Sequence, residues 1–506
     1  MKIQSVIASL LVVITTLLSC DDNDSFTTSS NNLLTLSKEA LSLDTVFSKV
    51  PSASKMFKVY NYSGDGIRIQ SVRQEKGAAK SGFRVNVNGM FINPEENDAI
   101  STPIELRDGD SLRVWVEMTS PRENGKTEPQ KVEESIVFNL ESGRQQVVKL
   151  SAWTWDADTL QNHYIAEDTV IDNEGKRPLV VYGKLTVAPE ATMTVKAGSI
   201  IYFHQDGELD VKGRLVVSGD KDNLVTMRCD RLDSLLQLSY DEIPGKWQGV
   251  TLSEESHDNA ISYLDLHGAD YGIKCLSAAD GSAPTVTKLS MDHSTVINVL
   301  GDALSAVASK VVIDNCLLAN ASGYCLNVTG GDVDVNSSTL ASFYGYTASR
   351  KYALRMTDVN GNVNGNGNEG EAAQLPIKFR MRNTIVTGYA DDQVYWYPYD
   401  SQADPDILIQ HSYLRTVKPE DEYSKKLLQD NLYDADAADD YQGRGLFTYV
   451  NDDGTSFEYD FTPRDGAPVI GAADPATSSA DDINGTARKS TPDMGCYESG
   501  NVNDND

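Results

Sequence analysis

The chain has 506 residues, of which 74 are Asp or Glu and 44 are Lys or Arg, so its net charge is −30. This charge repels polyphosphate and argues against nucleic acid as a partner. The length allows at least two hydrophobic cores. The five cysteines other than Cys20 are an odd number without CxxC spacing, so neither a disulfide framework nor a zinc motif is indicated.

Residues 1–19 have the pattern of a signal peptide. Lys2 precedes an apolar stretch, residues 6–18, that is shorter than the ~20 residues of a membrane-spanning helix. The sequence Leu17-Leu18-Ser19-Cys20 resembles a bacterial lipobox, which implies cleavage before Cys20 and lipidation of that residue. Several acyl chains on one cysteine anchor a protein stably, so we expect Cys20 to hold the chain at a membrane.

Residues 20–32 are acidic and polar, too poor in apolar residues to fold, and we predict a tether. The acidic residues that follow Cys20 resemble the surface-export tag of some Gram-negative lineages. In other lineages Asp at this place retains a lipoprotein at the inner membrane. The resemblance favours the cell envelope, with an outer-membrane lipoprotein that faces the cell exterior, and leaves a periplasmic orientation open.

Residues 33–155 contain short strands separated by Gly, Asn, Asp and Pro. Apolar and polar residues alternate in them, which buries one face and exposes the other. The strands are predicted at residues 55–61, 67–72, 83–87, 112–118, 136–140 and 145–153. About seven such strands are typical of an immunoglobulin-like β-sandwich. No chemical motif occurs here, so we predict a spacer or adhesion module.

A strand pattern repeats from residue 179 onward, and helical periodicity is nearly absent. Gly183-Lys-Leu-Thr-Val187 recurs as Gly207-Glu-Leu-Asp-Val211, an interval suited to one solenoid turn. Two alternating apolar residues followed by a short polar or imidazole residue also recur, about every two dozen residues. The polar markers are Asp265, His293, Asn315, Ser337, Asp358, Asn383 and His411.

Alternation turns the apolar residues of each repeat inward and leaves the marker at a turn. Asn, Asp and Ser suit a turn because their side chains bond nearby backbone. The pattern resembles a right-handed parallel β-helix of the pectate-lyase-like superfold, in which like residues stack into ladders. His293 and His411 share the register of Asn315, so we interpret them as ladder residues rather than as catalytic bases.

The predicted fold class is therefore all-β, with an N-terminal immunoglobulin-like sandwich followed by a parallel β-helix over residues 179–498. Residues 156–178 are predicted as a linker or N-terminal cap, and residues 499–506 as a polar tail.

The segment from Phe461 to Glu498 resembles the ending of many secreted bacterial β-helix proteins, where it closes the rod. The matching stretches begin with Phe461-Thr-Pro463, Asp482-Ile-Asn-Gly485 and Asp493-Met-Gly495. A stacked sheet has an open edge that must be covered. We therefore predict an end-capping ion network whose members are Asp482, Arg488, Asp493 and Glu498.

Two irregular stretches interrupt the repeat, and such interruptions carry function on solenoids. Exposed Tyr and Trp mark binding sites, and with carboxylates beside them they suit a sugar chain. We expect the two groups of rings to lie two coils, or ~10 Å, apart. The candidate binding residues are Tyr344, Tyr346, Asp391, Asp392, Tyr395, Trp396, Tyr397 and Tyr399. The alternative is that these rings only pack a long loop onto the rod.

Three functions stay open: a non-catalytic lipoprotein that binds a glycan or another surface partner, a polysaccharide lyase or glycoside hydrolase, and an adhesive protein that binds proteins. A hydrolase needs two carboxyl groups about 5 to 9.5 Å apart on one surface. Asp391 and Asp392 are adjacent and would face opposite ways in a strand. The motifs of polygalacturonase-like and pectate-lyase-like enzymes are missing, so no catalytic residue is predicted.

No cofactor and no metal site is predicted. Residues 434–440 and 451–454 offer the oxygen ligands that Ca²⁺ prefers, but neither stretch fits EF-hand spacing. We expect solvated acidic loops.

Overall fold

The computed structural model of this chain describes residues 25–92, 98–120, 125–235, 238–277, 282–345, 351–360, 373–398, 404–451 and 458–500. Strands dominate these residues, and the two α-helices within them, Ala78–Ser81 and Glu422–Leu427, are each shorter than two turns. The chain divides into two compact units, residues 1–156 and 157–506. Cys20 and the predicted signal peptide lie outside the described residues.

Two sheets build the first unit. The five-stranded sheet has the spatial order Thr35–Leu36, Lys55–Tyr60, Ser111–Met118, Phe83–Val87 and Met90–Phe91. The six-stranded sheet has the order Ala40–Phe47, Gln145–Trp155, Gln130–Leu140, Ile67–Gln74 and Ala99–Ile100, with Ile104–Leu106 also beside Ile67–Gln74. The paired strands are antiparallel except Ala40–Phe47, which runs parallel to Gln145–Trp155.

Alternating residues explain why these strands have one buried face. In Ser111–Met118, Leu112 and Val114 are buried while Arg113 and Trp115 are exposed. The buried residues of both sheets form one hydrophobic cluster. All six strands expected from the sequence occur here, with their ends shifted by a few residues. The immunoglobulin-like topology stays a prediction.

Part of the predicted tether packs on this unit. Phe26 forms an isolated bridge with Gly66, and its ring centroid lies 4.9 Å from the guanidinium carbon of Arg68. Phe26 is the one aromatic residue of an otherwise polar stretch, which explains why the chain contacts the unit at this point.

The second unit consists of three parallel ladders of strands, and a full turn of the chain adds one strand to each. We name the ladders face A, face B and face C in the order in which the chain visits them. Faces A and B together make an 18-stranded sheet, and face C is a 10-stranded sheet. The inward side chains of all three faces form one hydrophobic cluster. Long parallel sheets of this kind are consistent with a parallel β-helix.

The strand bounds follow the chain through each coil. Asp158–Ile165 and Leu179–Val187 contribute to both face A and face B. Face A continues with Ile200–Phe203, Val225–Cys229, Leu264–His267, Thr295–Val299, Leu317–Ala321, Thr339–Ser342, Ile385–Gly388, Tyr413–Leu414 and Leu432–Tyr433. Face B continues with Glu208–Val211, Gly249–Leu252, Ile273–Cys275, Leu304–Val307, Leu326–Thr329, Leu354–Thr357 and Val394–Tyr397.

Face C contains Thr169–Ile171, Thr192–Lys196, Arg214–Ser218, Asn259–Ser262, Thr287–Asp292, Lys310–Asp314, Gly331–Asn336, Ile377–Arg382, Asp406–Gln410 and Leu428–Gln429. Three short hairpins pair Ser234–Leu235 with Leu238–Ser239, Val359–Asn360 with Ala373–Gln374, and Phe447–Val450 with Tyr459–Pro463. Short 3₁₀ helices occur at Asp434–Asp436, Asp439–Tyr441 and Gly443–Leu446.

The first coil begins earlier than the sequence suggested. Asp158–Ile165 and Thr169–Ile171 pair in parallel with the strands of the next coil, so much of the segment predicted as a linker or cap is part of the ladder. Most residues of Asp158–Ile165 are exposed. The strand therefore lacks the apolar alternation by which the others were recognised.

The chain turns from face C to face A at one residue with left-handed backbone. Five predicted markers occupy this turn, with φ of +44° at His293, +48° at Asn315, +43° at Ser337, +52° at Asn383 and +47° at His411. Asp430, with φ of +52°, continues the series after the last strand of face C. Small polar residues tolerate this conformation, which accounts for the pattern in the sequence.

Asp265 and Asp358 are placed elsewhere. Asp265 lies within Leu264–His267 on face A, and Tyr263, with φ of +53°, takes the turn instead. Asp358 follows Leu354–Thr357 on face B. Strands of all three faces alternate in the same way, so the apolar pattern alone did not distinguish a face C strand from the others.

The C-terminal segment, residues 464–500, covers the outside of face A in its later coils. Leu317, Ile385 and Tyr413 share a hydrophobic cluster with Val469 and Met494 of this segment. Every residue of Leu317–Ala321 is buried, because the rod core lies on one side of that strand and this second cluster on the other.

The same segment follows the turn residues along the rod. Asp474 N donates to Asn383 Oδ1 at 2.8 Å. Farther along, Arg488 Nη2 donates to Asn315 Oδ1 at 2.9 Å. The segment was expected to close the end of the rod, and the structure places it along the side instead. The apolar surface that requires a cover is the outside of face A.

Candidate functional site

A column of outward side chains runs along face B. The strand register places in one row Tyr164, Thr186, Asp210, Thr251, Lys274, Ser305, Asn327, Arg355 and Tyr395. Neighbouring strands are ~4.8 Å apart, so this row has a regular spacing along the rod. Its C-terminal end is aromatic and cationic.

Tyrosine rings stack at that end. Tyr352 and Tyr395 come from neighbouring coils, with ring centroids 4.8 Å apart and planes inclined by 16°. Tyr397 continues the stack at 6.4 Å and 13° from Tyr395. Tyr397 is 50% exposed, and the other two are partly exposed. The three rings form one nearly parallel series that reaches solvent.

Arg355 extends this surface toward the preceding coil. Its guanidinium carbon lies 5.6 Å from the ring centroid of Tyr324, and its Nη1 donates to Asn327 Oδ1 at 2.8 Å. Burial raises the pKa of the Tyr324 hydroxyl, which Arg355 partly opposes. We call this set of five residues the tyrosine surface: Tyr324, Tyr352, Arg355, Tyr395 and Tyr397.

The predicted carboxylates lie just before the strand that carries Tyr395. Asp391 is fully exposed and accepts a hydrogen bond from Arg415 Nη2 at 2.7 Å. Asp392 Oδ1 accepts from Thr416 Oγ1 at 2.6 Å. Both carboxylates are engaged by neighbouring side chains, and neither lies within the row of outward residues on face B.

Two predicted aromatic residues are largely withdrawn from solvent. Trp396 packs against the rod core, and its Nε1 donates to Tyr423 OH at 3.2 Å. Successive residues of a strand face opposite ways, so Tyr395 and Trp396 cannot share a surface. Tyr344 is only 7% exposed, and burial raises its pKa. Tyr346 and Tyr399 lie outside the described residues.

Tyr344 and Tyr395 belong to neighbouring coils rather than to coils two apart. Thr339–Ser342, which precedes Tyr344, pairs directly with Ile385–Gly388. The prediction counts Asp358 as a turn marker, whereas Asp358 follows a strand of face B, so the predicted separation contains one coil too many. Tyr352 and Arg355 lie in the coil that contains Asp358, and Tyr324 is an isolated aromatic residue between the strands Leu317–Ala321 and Leu326–Thr329. Only the strand register reveals that these residues form one surface.

An imidazole lies between carboxylates on the outside of face A. His267 Nε2 is 2.6 Å from Asp241 Oδ1, and its Nδ1 is 3.1 Å from Asp265 Oδ1. Arg228 Nη1 is 2.7 Å from the same Asp241 oxygen. Both carboxylates therefore pair with cations of the chain, an arrangement that orders this face and presents no free acid and base.

The reactive thiol groups of the described cysteines are buried. Burial raises the pKa of Cys275, Cys325 and Cys496 to about 12, so these thiols stay protonated. Among the described residues, no group of three or more His, Cys, Asp or Glu could hold a metal ion. Asp434, in the acidic stretch considered for Ca²⁺, instead pairs with Arg415.

The helices in the described parts include none that is long and apolar enough to cross a membrane.

No protein-family model and no curated protein sequence matches this chain. Among solved structures, the Agl-KA catalytic domain is 10% identical, with 72% of this chain and 80% of that chain covered, at a TM-score of 0.23. The Vibrio cholerae VesB protease is 13% identical over 25% of this chain, at a TM-score of 0.17. A family 123 glycoside hydrolase from Clostridium perfringens is 8% identical over 26% of this chain, also at 0.17.

The chain spans 33% of the length of the VesB protease structure and 26% of that of the glycoside hydrolase. Similarities of this size define neither a fold nor an activity for this chain.

Proposed function

We propose that this protein binds a glycan on the tyrosine surface and does not cleave it. The observation that supports this proposal is the series of stacked, solvent-reaching rings of Tyr352, Tyr395 and Tyr397. Ring faces stack on the apolar faces of sugars, and tyrosine hydroxyls bond sugar hydroxyls. Arg355 adds donors beside the rings. The spacing of coils along face B suits an extended chain rather than a compact ligand.

The test is a glycan array probed with the full chain and with Tyr352→Ala/Tyr395→Ala. We expect binding to a defined glycan class and a loss of about tenfold or more in affinity, since two ring contacts of about 1 kcal/mol each would be removed. Tyr164→Ala is the matched control. Tyr164 is 55% exposed and stands in the same row of face B at its N-terminal end.

Equal binding by both variants would exclude the tyrosine surface, and no binding to any glycan would exclude the function. Chromatography of the bound glycan separates binding from cleavage. Shortened products would favour a polysaccharide lyase or glycoside hydrolase over our proposal. Capture of a protein rather than a glycan would favour an adhesive role.

We further propose that lipid on Cys20 anchors the chain in the outer membrane, with both units outside the cell. The support is the sequence Leu17-Leu18-Ser19-Cys20 and the acidic residues that follow it. Cys20→Ser should move the protein from the membrane fraction to the soluble fraction. Protease added to intact cells should digest the wild-type protein, whereas full protection would indicate a periplasmic orientation.

We also propose a right-handed β-helix for the second unit and an immunoglobulin-like fold for the first. Crossovers between parallel strands are right-handed in almost all known cases, which supports a right-handed parallel β-helix for the second unit. The two sheets of the first unit are compatible with an immunoglobulin-like sandwich. Such a unit would serve as a spacer or a second contact module.

A further inference from the structure

The outer face of the five-stranded sheet in the first unit carries two exposed aromatic rings. Trp115 is 43% exposed and Phe91 is 65% exposed. Asn86 lies between them, since the strand register pairs it with Trp115 on one side and Phe91 on the other. The rings are thus two strands, or ~10 Å, apart on one surface. A cavity of about 510 Å³ opens there, lined by both rings, Asn86 and the Arg84–Glu117 pair.

Two further cations, Lys58 and Arg113, lie on the same outer face of the sheet. Lys58 and Arg113 are direct partners in neighbouring strands, and Arg113 is two residues from Trp115 on the same face. The described residues provide neither of them with an ion-pair partner. Like charges directly opposite each other in a sheet are destabilising, so the fold gains nothing from this pair.

The charge of this face contrasts with that of the chain. Residues 25–156 contain nearly as many Lys and Arg as Asp and Glu, so the net charge of −30 resides mainly outside this unit. On the face itself, Arg84 is balanced by Glu117 at 3.0 Å, which leaves the charges of Lys58 and Arg113 in excess. A ligand that restores neutrality must be anionic.

We propose that this face binds an acidic polysaccharide, a chain of sugars that bear carboxylate or sulfate groups. Trp115 and Phe91 stack on two sugar faces of one chain, and Lys58 and Arg113 pair with the acidic substituents. The cavity volume falls within the range of small-ligand sites. This site is separate from the tyrosine surface, because it belongs to the first unit and uses none of the same residues.

The test is affinity electrophoresis of the full chain through gels that contain polygalacturonate, hyaluronan or dextran sulfate, with neutral dextran and hydroxyethylcellulose as comparisons. Tyr352→Ala/Tyr395→Ala is the background, so that the tyrosine surface contributes nothing. We expect retardation by at least one acidic chain and by neither neutral chain. Trp115→Ala and Arg113→Gln should each weaken it by about tenfold, and added salt should weaken it further.

Trp153→Ala and Lys149→Gln are the matched controls. Both residues lie on Gln145–Trp155 in the other sheet, and Trp153 is 44% exposed, close to the value for Trp115. Their replacement should leave retardation unchanged. Arg113→Gln should also raise the Tm, because it removes the repulsion with Lys58. A merely structural arginine would lower it.

The inference is overturned if no acidic chain retards the protein, if neutral chains retard it equally, or if the control variants weaken retardation as much as Trp115→Ala. Binding to vesicles with anionic headgroups, in place of any polysaccharide, would identify this face as a membrane contact instead. None of these outcomes depends on whether the tyrosine surface binds a glycan.

Discussion

The His267 side chain is 13% exposed and lies between two carboxylates, and its protonation is coupled to folding. Burial alone lowers the pKa of this imidazole, but Asp265 and Asp241 outweigh that effect and raise it from 6.5 to about 9. Because the folded-state pKa is the higher one, the protonated ring favours the folded state. This contribution is complete below pH ~6.5 and is lost as the pH rises toward 9. Arg228 Nη1 also faces Asp241, at 2.7 Å from its Oδ1.

We therefore expect His267→Gln to lower stability at pH 6 by on the order of 3 kcal/mol and to have a much smaller effect at pH 9.5. Chemical denaturation at both pH values measures the difference. The control is His257→Gln, since the His257 side chain is 63% exposed. It should change stability little at either pH. An equal loss at both pH values would mean that packing, and not charge, is what His267 contributes.

At the scale of elements, the turn from face C to face A is where sequence and structure correspond most directly. A single residue there has left-handed backbone, and residues such as Asn315, Ser337 and Asn383 were recognised because their side chains suit it. Their side chains have a second role that no local pattern reveals. They form hydrogen bonds with the C-terminal segment. Ser479 N, for example, donates to Ser337 Oγ across 142 residues of sequence.

Arg488 holds the C-terminal segment in place through several hydrogen bonds. Its guanidinium donates to Asn315 Oδ1, to the carbonyl oxygens of Asp481 and Gly495, and to Glu498 at 3.3 Å. The side chains of Arg488 and Glu498 are 2% and 0% exposed. Removing one member of a buried ion pair costs about 3–5 kcal/mol. Arg488→Met should therefore destabilise the second unit by about that amount and expose the C-terminal segment to protease.

Lys418→Met is the control for Arg488→Met, because the pair of Lys418 with Asp436 is 62% and 58% exposed. Exposed pairs contribute about 0–1 kcal/mol, so this variant should resist denaturant and protease almost as the wild type does. Similar losses in both variants would contradict a specific role for the buried network.

At the scale of the whole molecule, the sequence predicted the class of each unit better than the arrangement of its parts. The all-β character and the long parallel sheets follow from alternation and repeat, which are local properties. The position of the C-terminal segment depends on which outer surface is apolar. That surface is known only from the strand register, which places Leu317 and Ile385 in one row of face A with Thr339 between them. The tyrosine surface depends in the same way on the register that brings Tyr352 against Tyr395.

The two units have separate cores. The hydrophobic cluster of the first unit and that of the rod have no residue in common. Cooperative unfolding follows shared burial, so we expect two transitions in calorimetry of the full chain. Phe138 belongs to the first cluster and Phe379 to the second, and both are 0% exposed. Replacing a buried Phe by Ala costs about 3–5 kcal/mol.

Phe138→Ala and Phe379→Ala are thus matched changes in different cores. Phe138→Ala should lower the temperature of one transition, and Phe379→Ala should lower that of the other. The transition with the larger enthalpy should be the one that Phe379→Ala affects, because unfolding enthalpy increases with the number of residues and the second unit is the longer. A single transition lowered by both variants would show that the units unfold together and that burial within each cluster does not define the cooperative unit.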